Sequence, residues 1–132
     1  NVSKLYLPKN YDLNQVFGGL YPLAEIIQHA KYANNYDYNK AVFLMSEFDF
    51  LENGFIILRE NLEFSAPIAC VHYEYYDKLE ELNKILDSQK DKIQCVISNT
   101  ELSNAIPFGK AQQPELDDYA DRVDTLAFLE KL

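Results

Sequence analysis

Tryptophan is absent, and 132 residues hold two cysteines, one methionine and four glycines. Two cysteines cannot build the disulfide framework of small secreted domains. No G-x-G-x-x-G, P-loop or G-x-S-x-G pattern occurs, so no Gly-rich phosphate cradle or nucleophile elbow is encoded. Long apolar runs are missing too. The longest, such as Gly54–Leu58 and Pro67–Val71, fall far short of the roughly 20 residues of a membrane span. No basic segment leads into an apolar stretch with a cleavage site, so no signal peptide is expected. Basic residues are scarce: 12 Lys and Arg stand against 21 Asp and Glu, a net charge of −9. Phosphate backbones and anionic membrane surfaces repel such a chain, so neither nucleic acid nor membrane insertion is expected. A reducing, cytoplasmic setting is the expectation.

What is present is apolar and aromatic. The chain is 48% hydrophobic with 10 Tyr and 8 Phe, enough for one domain spanning residues 1–132 and too much for disorder. It begins at Asn1 without an initiator methionine and runs straight into strand-like sequence. This reads as a piece of a longer protein.

Val2–Leu7 alternates apolar and polar residues and then meets Pro8, the pattern of a strand ended by proline. Asp12 predicts an N-cap for a short helix through Phe17, broken by Gly18-Gly19. Pro22 suits the first turn of a second helix, Leu23 to Tyr32, and Asn34-Asn35 predict an interruption. Asp37 or Asn39 then caps a third helix through Glu47. Phe55–Leu58 and Pro67–Tyr73 read as apolar strands after the Glu52-Asn53-Gly54 turn. Asp77 predicts a cap for a helix from Lys78 to Asp87, followed by a strand at Ile93–Ile97. Strand, helix, strand from Pro67 to Ser98 is the form of a βαβ crossover, which would set Cys70 and Cys95 in neighbouring buried strands. Strands apolar on both faces imply a sheet covered on both sides. The fold class is therefore α/β. Pro107–Asp121 reads as an extended loop, and Asp124 as the cap of a last helix, Thr125–Leu132.

Candidate chemistry is sparse. Cys70-Val71-His72 sets a thiol and an imidazole on one face of a strand, as a nucleophile pair or two metal ligands require. A third and fourth zinc ligand do not stand nearby, and a free cysteine in an apolar run is usually a small buried hydrophobe. No metal site is expected. The tyrosines Tyr32, Tyr36, Tyr38, Tyr73, Tyr75 and Tyr76 suit burial with the hydroxyl bonded at a rim. Base stacking would need a basic groove that this chain lacks.

Three stretches carry a resemblance: Asn1-Val2-Ser3-Lys4, Lys31 through Ala41 (KYANNYDYNKA), and Asp118 through Thr125 (DYADRVDT). In order and spacing they resemble the C-terminal part of the acyl-CoA reductases, the fatty-acid reductases of the luminescence (LuxC-like) type, from bacteria related to Bacteroides. The resemblance spans essentially the whole chain. It implies the C-terminal portion of an aldehyde-dehydrogenase-type catalytic domain: three-layer, Rossmann-like, mostly parallel, with helices on both faces. Members of the family reduce fatty acyl thioesters to aldehydes with NADPH through an acylated cysteine. In the family that cysteine lies just upstream of the segment matching Asn1–Lys4, and the Gly-rich cofactor half also lies upstream. The resemblance therefore implies an enzyme for the parent protein, with an acyl-CoA or acyl-protein thioester as its partner. It implies no catalytic residue and no bound cofactor in this chain alone, and it leaves homo-oligomerisation open. Arg122 departs from the family's pattern, which has glycine there. Glu63-Phe64-Ser65-Ala66-Pro67 resembles the Glu-x-Phe-Gly-Pro segment of aldehyde dehydrogenases, with Phe directly after Glu. That likeness implies cofactor-binding roles: Glu63 on the nicotinamide ribose and Phe64 beside the nicotinamide. The other reading of the chain is a free-standing acidic interaction or immunity-type domain without catalysis.

Overall fold

The computed structural model describes residues 2–115, 118–119 and 123–131. Contacts divide the chain after Asp77 into two compact units. The first contains β1 (Lys4–Pro8), α1 (Leu13–Leu20), a 3-10 helix (Tyr21–Gln28), α2 (Ala30–Met45), β2 (Leu51–Glu52), β3 (Ile57–Glu60) and β4 (Cys70–Tyr76). The second contains α3 (Leu79–Ser88), a 3-10 turn (Lys90–Lys92), β5 (Val96–Ile97), β6 (Ala105–Ile106) and α4 (Thr125–Leu129).

The sheet of the first unit has the order β1-β4-β3-β2. β1, β4 and β3 run parallel, and β2 closes one edge antiparallel to β3. The molecule is thus a mixed α/β protein with parallel strands. Ile57 and Leu58 are successive residues on opposite faces of β3, and both are fully excluded from water. Two-sided burial was the expectation from their continuous apolar run. On one face Tyr36 and Phe43 of α2 pack with Ile57, Ala69 and Cys70.

Element boundaries moved for identifiable reasons. The predicted strand at Phe55 starts instead at Ile57, because the Asn53 side chain accepts from Phe55 N and Ile56 N and turns the chain there. The strand predicted from Pro67 starts at Cys70 and runs on to Tyr76. Cys70 N donates to the Pro67 carbonyl in a tight turn, while β1 pairs with β4 as far as Tyr76. Gly18-Gly19 do not break α1. Asp12 caps it as predicted, and it runs through both glycines into the 3-10 helix. Asn34-Asn35 do not interrupt α2 either; Asn35 Nδ2 donates to the Lys31 carbonyl one turn back, at 2.7 Å.

The largest correction concerns the predicted βαβ unit. β4 is flanked by β1 on one side and β3 on the other, so neither edge is left for the strand after α3. That strand, β5, pairs in parallel with β6 in a separate ladder. Cys95 lies outside it and is exposed, whereas Cys70 is buried. Asp77 does not cap α3. The N-cap position is Lys78, without a side-chain bond, and the Asp77 carboxylate pairs with Lys9 at 3.1 Å. Asp124 does cap α4, accepting from Ala127 N at 2.9 Å. Residues 116–117 and 120–122, within the predicted loop and the third resemblance stretch, lie outside the described residues, as does Leu132 at the end of the predicted last helix.

Candidate functional site

Register decides which side chains share a face of a parallel sheet. Lys4 of β1, His72 of β4 and Arg59 of β3 are register partners, so three basic side-chain types lie in one row across three strands. The connection from β3 to β4, Asn61 through Ala69, carries the candidate residues Glu63 and Phe64.

Two members of the row, Lys4 and His72, grip that loop. The Lys4 ammonium donates to the Leu62 carbonyl at 2.7 Å and to the Glu74 carboxylate. It also lies 5.0 Å from the Tyr6 ring centroid and 5.1 Å from that of Phe64. Only 5% of the Lys4 side chain is exposed, so its charge is held by this cage rather than by water. His72 is buried, and its Nδ1 lies 2.9 Å from the Glu63 carbonyl. A carbonyl can only accept, so the ring proton sits on Nδ1. From the loop itself, Asn61 Oδ1 accepts from Glu63 N at 2.9 Å.

The Glu63 carboxylate points out of this grip. Glu63 is exposed, and its carboxylate has no hydrogen-bond or ion-pair partner among the described residues. Both of its oxygens are open to accept hydrogen bonds. Phe64 is half-buried against Lys4. The structure thus brings the two candidate residues together with Lys4, a residue of the first resemblance stretch. Sequence reasoning missed Lys4 and His72 as partners of the loop. The signal was the alternation of Val2–Leu7, which sets Lys4 and Tyr6 on one face.

Cys70 and His72 do not make a nucleophile pair. Burial pushes the Cys70 thiol up to about 11, with the nearby Arg59 guanidinium pulling the other way. The His72 Nδ1 proton is engaged by the loop instead. The Arg59 guanidinium carbon lies over Phe48, 3.7 Å from the ring centroid, and 5.1 Å from that of Phe43. No group of three His, Cys, Asp or Glu side chains comes together to hold a metal ion among the described residues.

The Tyr/Asn run of the second resemblance stretch lies on α2, with Tyr32, Tyr36, Asn39, Lys40 and Phe43 on one face. Tyr32 Oη donates to the Phe55 carbonyl at 2.8 Å, and Asn39 Nδ2 to the Ile68 carbonyl at 2.9 Å. Tyr36 and Lys40 both donate to the Glu52 carboxylate, which also accepts from Gly54 N. These bonds hold the Glu52 carboxyl down at about 2 and push the Tyr36 phenol up, burial being its largest cause. The run is a clasp on the β2–β3 turn and on the last residues before β4.

No family model and no solved structure matches the chain. It is similar to a UDP-N-acetylmuramate--L-alanine ligase of Prochlorococcus marinus (strain NATL1A), at 24% identity over 103 residues. The match covers 78% of this chain and 19% of the ligase, about a fifth of that protein's length. No helix among the described residues is long and apolar enough to cross a membrane.

Proposed function

We propose that the chain is the C-terminal portion of the catalytic domain of a cytoplasmic acyl-CoA reductase. That domain would be of the three-layer aldehyde-dehydrogenase type and reduce a fatty acyl thioester to the aldehyde. The observation that carries the reading is the bond from Lys4 to the Leu62 carbonyl beside Glu63. The resemblance sets the reductase's cysteine just upstream of the Asn1–Lys4 segment, and its ribose-binding glutamate at Glu63. Lys4 and the Glu63 loop are in direct contact on one face of the sheet, and this contact supports reading the two matched segments as parts of one site. NADPH, when bound, supplies the hydride. Glu63 would accept hydrogen bonds from the ribose hydroxyls, and Phe64, held on the Lys4 ammonium, would wall the nicotinamide side of the pocket from water. The unpartnered carboxylate supports the first role.

The test is an assay of the full-length protein with a long-chain acyl-CoA and NADPH, following aldehyde formation and NADPH loss together. Stoichiometric appearance of aldehyde supports the reading. Amide-bond formation driven by ATP hydrolysis, with no aldehyde, would replace it with ligase chemistry. Binding of a protein partner without either reaction would leave the interaction-domain reading standing in its place.

A further inference from the structure

Leu62 is 75% exposed and Glu63 is exposed, so apolar burial does little to hold this turn of the loop. Polar pins hold it. The Leu62 and Glu63 carbonyls are consecutive, and each is claimed from a different strand: Leu62 by Lys4 of β1, Glu63 by His72 of β4. With Asn61 Oδ1 on Glu63 N, the peptide units on both sides of the Glu63 Cα are fixed. The carboxylate then moves only about its own side-chain torsions. Lys4 is anchored in turn by Glu74, and His72 is buried in a central strand, so the pins are themselves rigid.

We propose that Lys4 and His72 are positioning residues that fix the backbone presenting Glu63 to a nucleotide ribose. The inference rests on the reading of Glu63 as a ribose-binding group. A backbone held in its bound conformation before the ligand arrives loses less freedom on binding, so the pins act through affinity. Neither Lys4 nor His72 needs to touch the nucleotide.

The experiment uses the full-length protein and two readouts besides turnover: NADPH affinity by fluorescence titration, and amide hydrogen exchange of Asn61–Ala66 without ligand. His72→Phe keeps the ring and removes the Nδ1 donor. It is expected to speed exchange in the loop and to weaken NADPH binding about tenfold, with acylation by labelled acyl-CoA unchanged. His72→Asn places an amide donor where Nδ1 stood and is expected to restore both within about twofold. Lys4→Met combined with Glu74→Gln removes the other pin without stranding a charge, and it decides the matter if His72→Phe does not fold. Faster exchange with wild-type NADPH affinity would overturn the proposal, as would unchanged exchange. Glu63→Gln separates the two levels. If it weakens NADPH binding while the pin variants do not, the positioning claim alone fails. If Glu63→Gln binds NADPH as wild type does, the ribose reading fails and takes the positioning claim with it.

Discussion

Cys70 and Cys95 look alike in sequence, each inside a short apolar run, yet one is buried and the other exposed. A bulky disulfide reagent added to the native protein should therefore label one thiol fast and one slowly, and Cys95→Ser should remove the fast phase. Two fast thiols would contradict the burial of Cys70. The difference was not legible in the sequence, because an apolar run is buried only if the sheet has room for it. β4 already has β1 and β3 on its two sides, so the Cys95 run has no place beside it. Charge at Glu52 offers a second residue-scale test. Its folded carboxyl titrates near 2, below the ordinary 4.5, so its stabilising bonds are complete above about 4.5 and fade as the pH falls toward 2. The Tyr36 phenol is shifted the opposite way, upward from 10.0, so its contribution is complete below that pH and fades above it. Thermal melts across pH should show Glu52→Gln flattening the acid limb and Tyr36→Phe the alkaline limb. Unchanged limbs in both variants would contradict the clasp.

Helix ends carry the clearest element-scale consequences. α2 ends with Phe48 N donating to the Phe43 carbonyl and Glu47 N to the Leu44 carbonyl, a Schellman closure. The residue in the left-handed position is Glu47, with φ 55°, where glycine is favoured. Glu47→Gly should raise stability by about 0.5–1 kcal/mol in urea titration, and a loss would contradict the strain. Gly19 in α1 is the reverse case. A Cβ added there meets nothing within 4 Å, so Gly19→Ala should add about 0.5–1 kcal/mol. Helices and caps were legible where short-range chemistry decides them, as at Asp12 and Asp124. The continuity of α2 through Asn34-Asn35 was not. There a tertiary clasp, made by Tyr32, Tyr36 and Asn39 on distant carbonyls and Glu52, outweighs weak helix propensity.

At the scale of the whole molecule, the α/β class and the two-sided burial of the central strands β3 and β4 were legible from apolar runs alone. Of the candidate site, Glu63 and Phe64 were singled out by resemblance, while the Lys4 and His72 that hold their loop come from strands whose register no local pattern states. One consequence is that the 132-residue chain by itself should not consume NADPH with a long-chain acyl-CoA, because the resemblance sets the nucleophile outside it. Turnover by the chain alone, lost in the double variant Cys70→Ser with Cys95→Ser, would move the chemistry to one of these two cysteines, and the single variant Cys70→Ser would say which. The central claim is the division of labour at Glu63, and trapping the acyl-enzyme tests it most directly. The full-length protein is loaded with labelled acyl-CoA in the absence of NADPH and then chased with it. Glu63→Gln should acylate at the wild-type rate and reduce ten- to a hundredfold more slowly, the loss of one charge-assisted hydrogen bond worth roughly 1.5–3 kcal/mol. Reduction at the wild-type rate would make Glu63 an ordinary loop carboxylate and contradict the assignment.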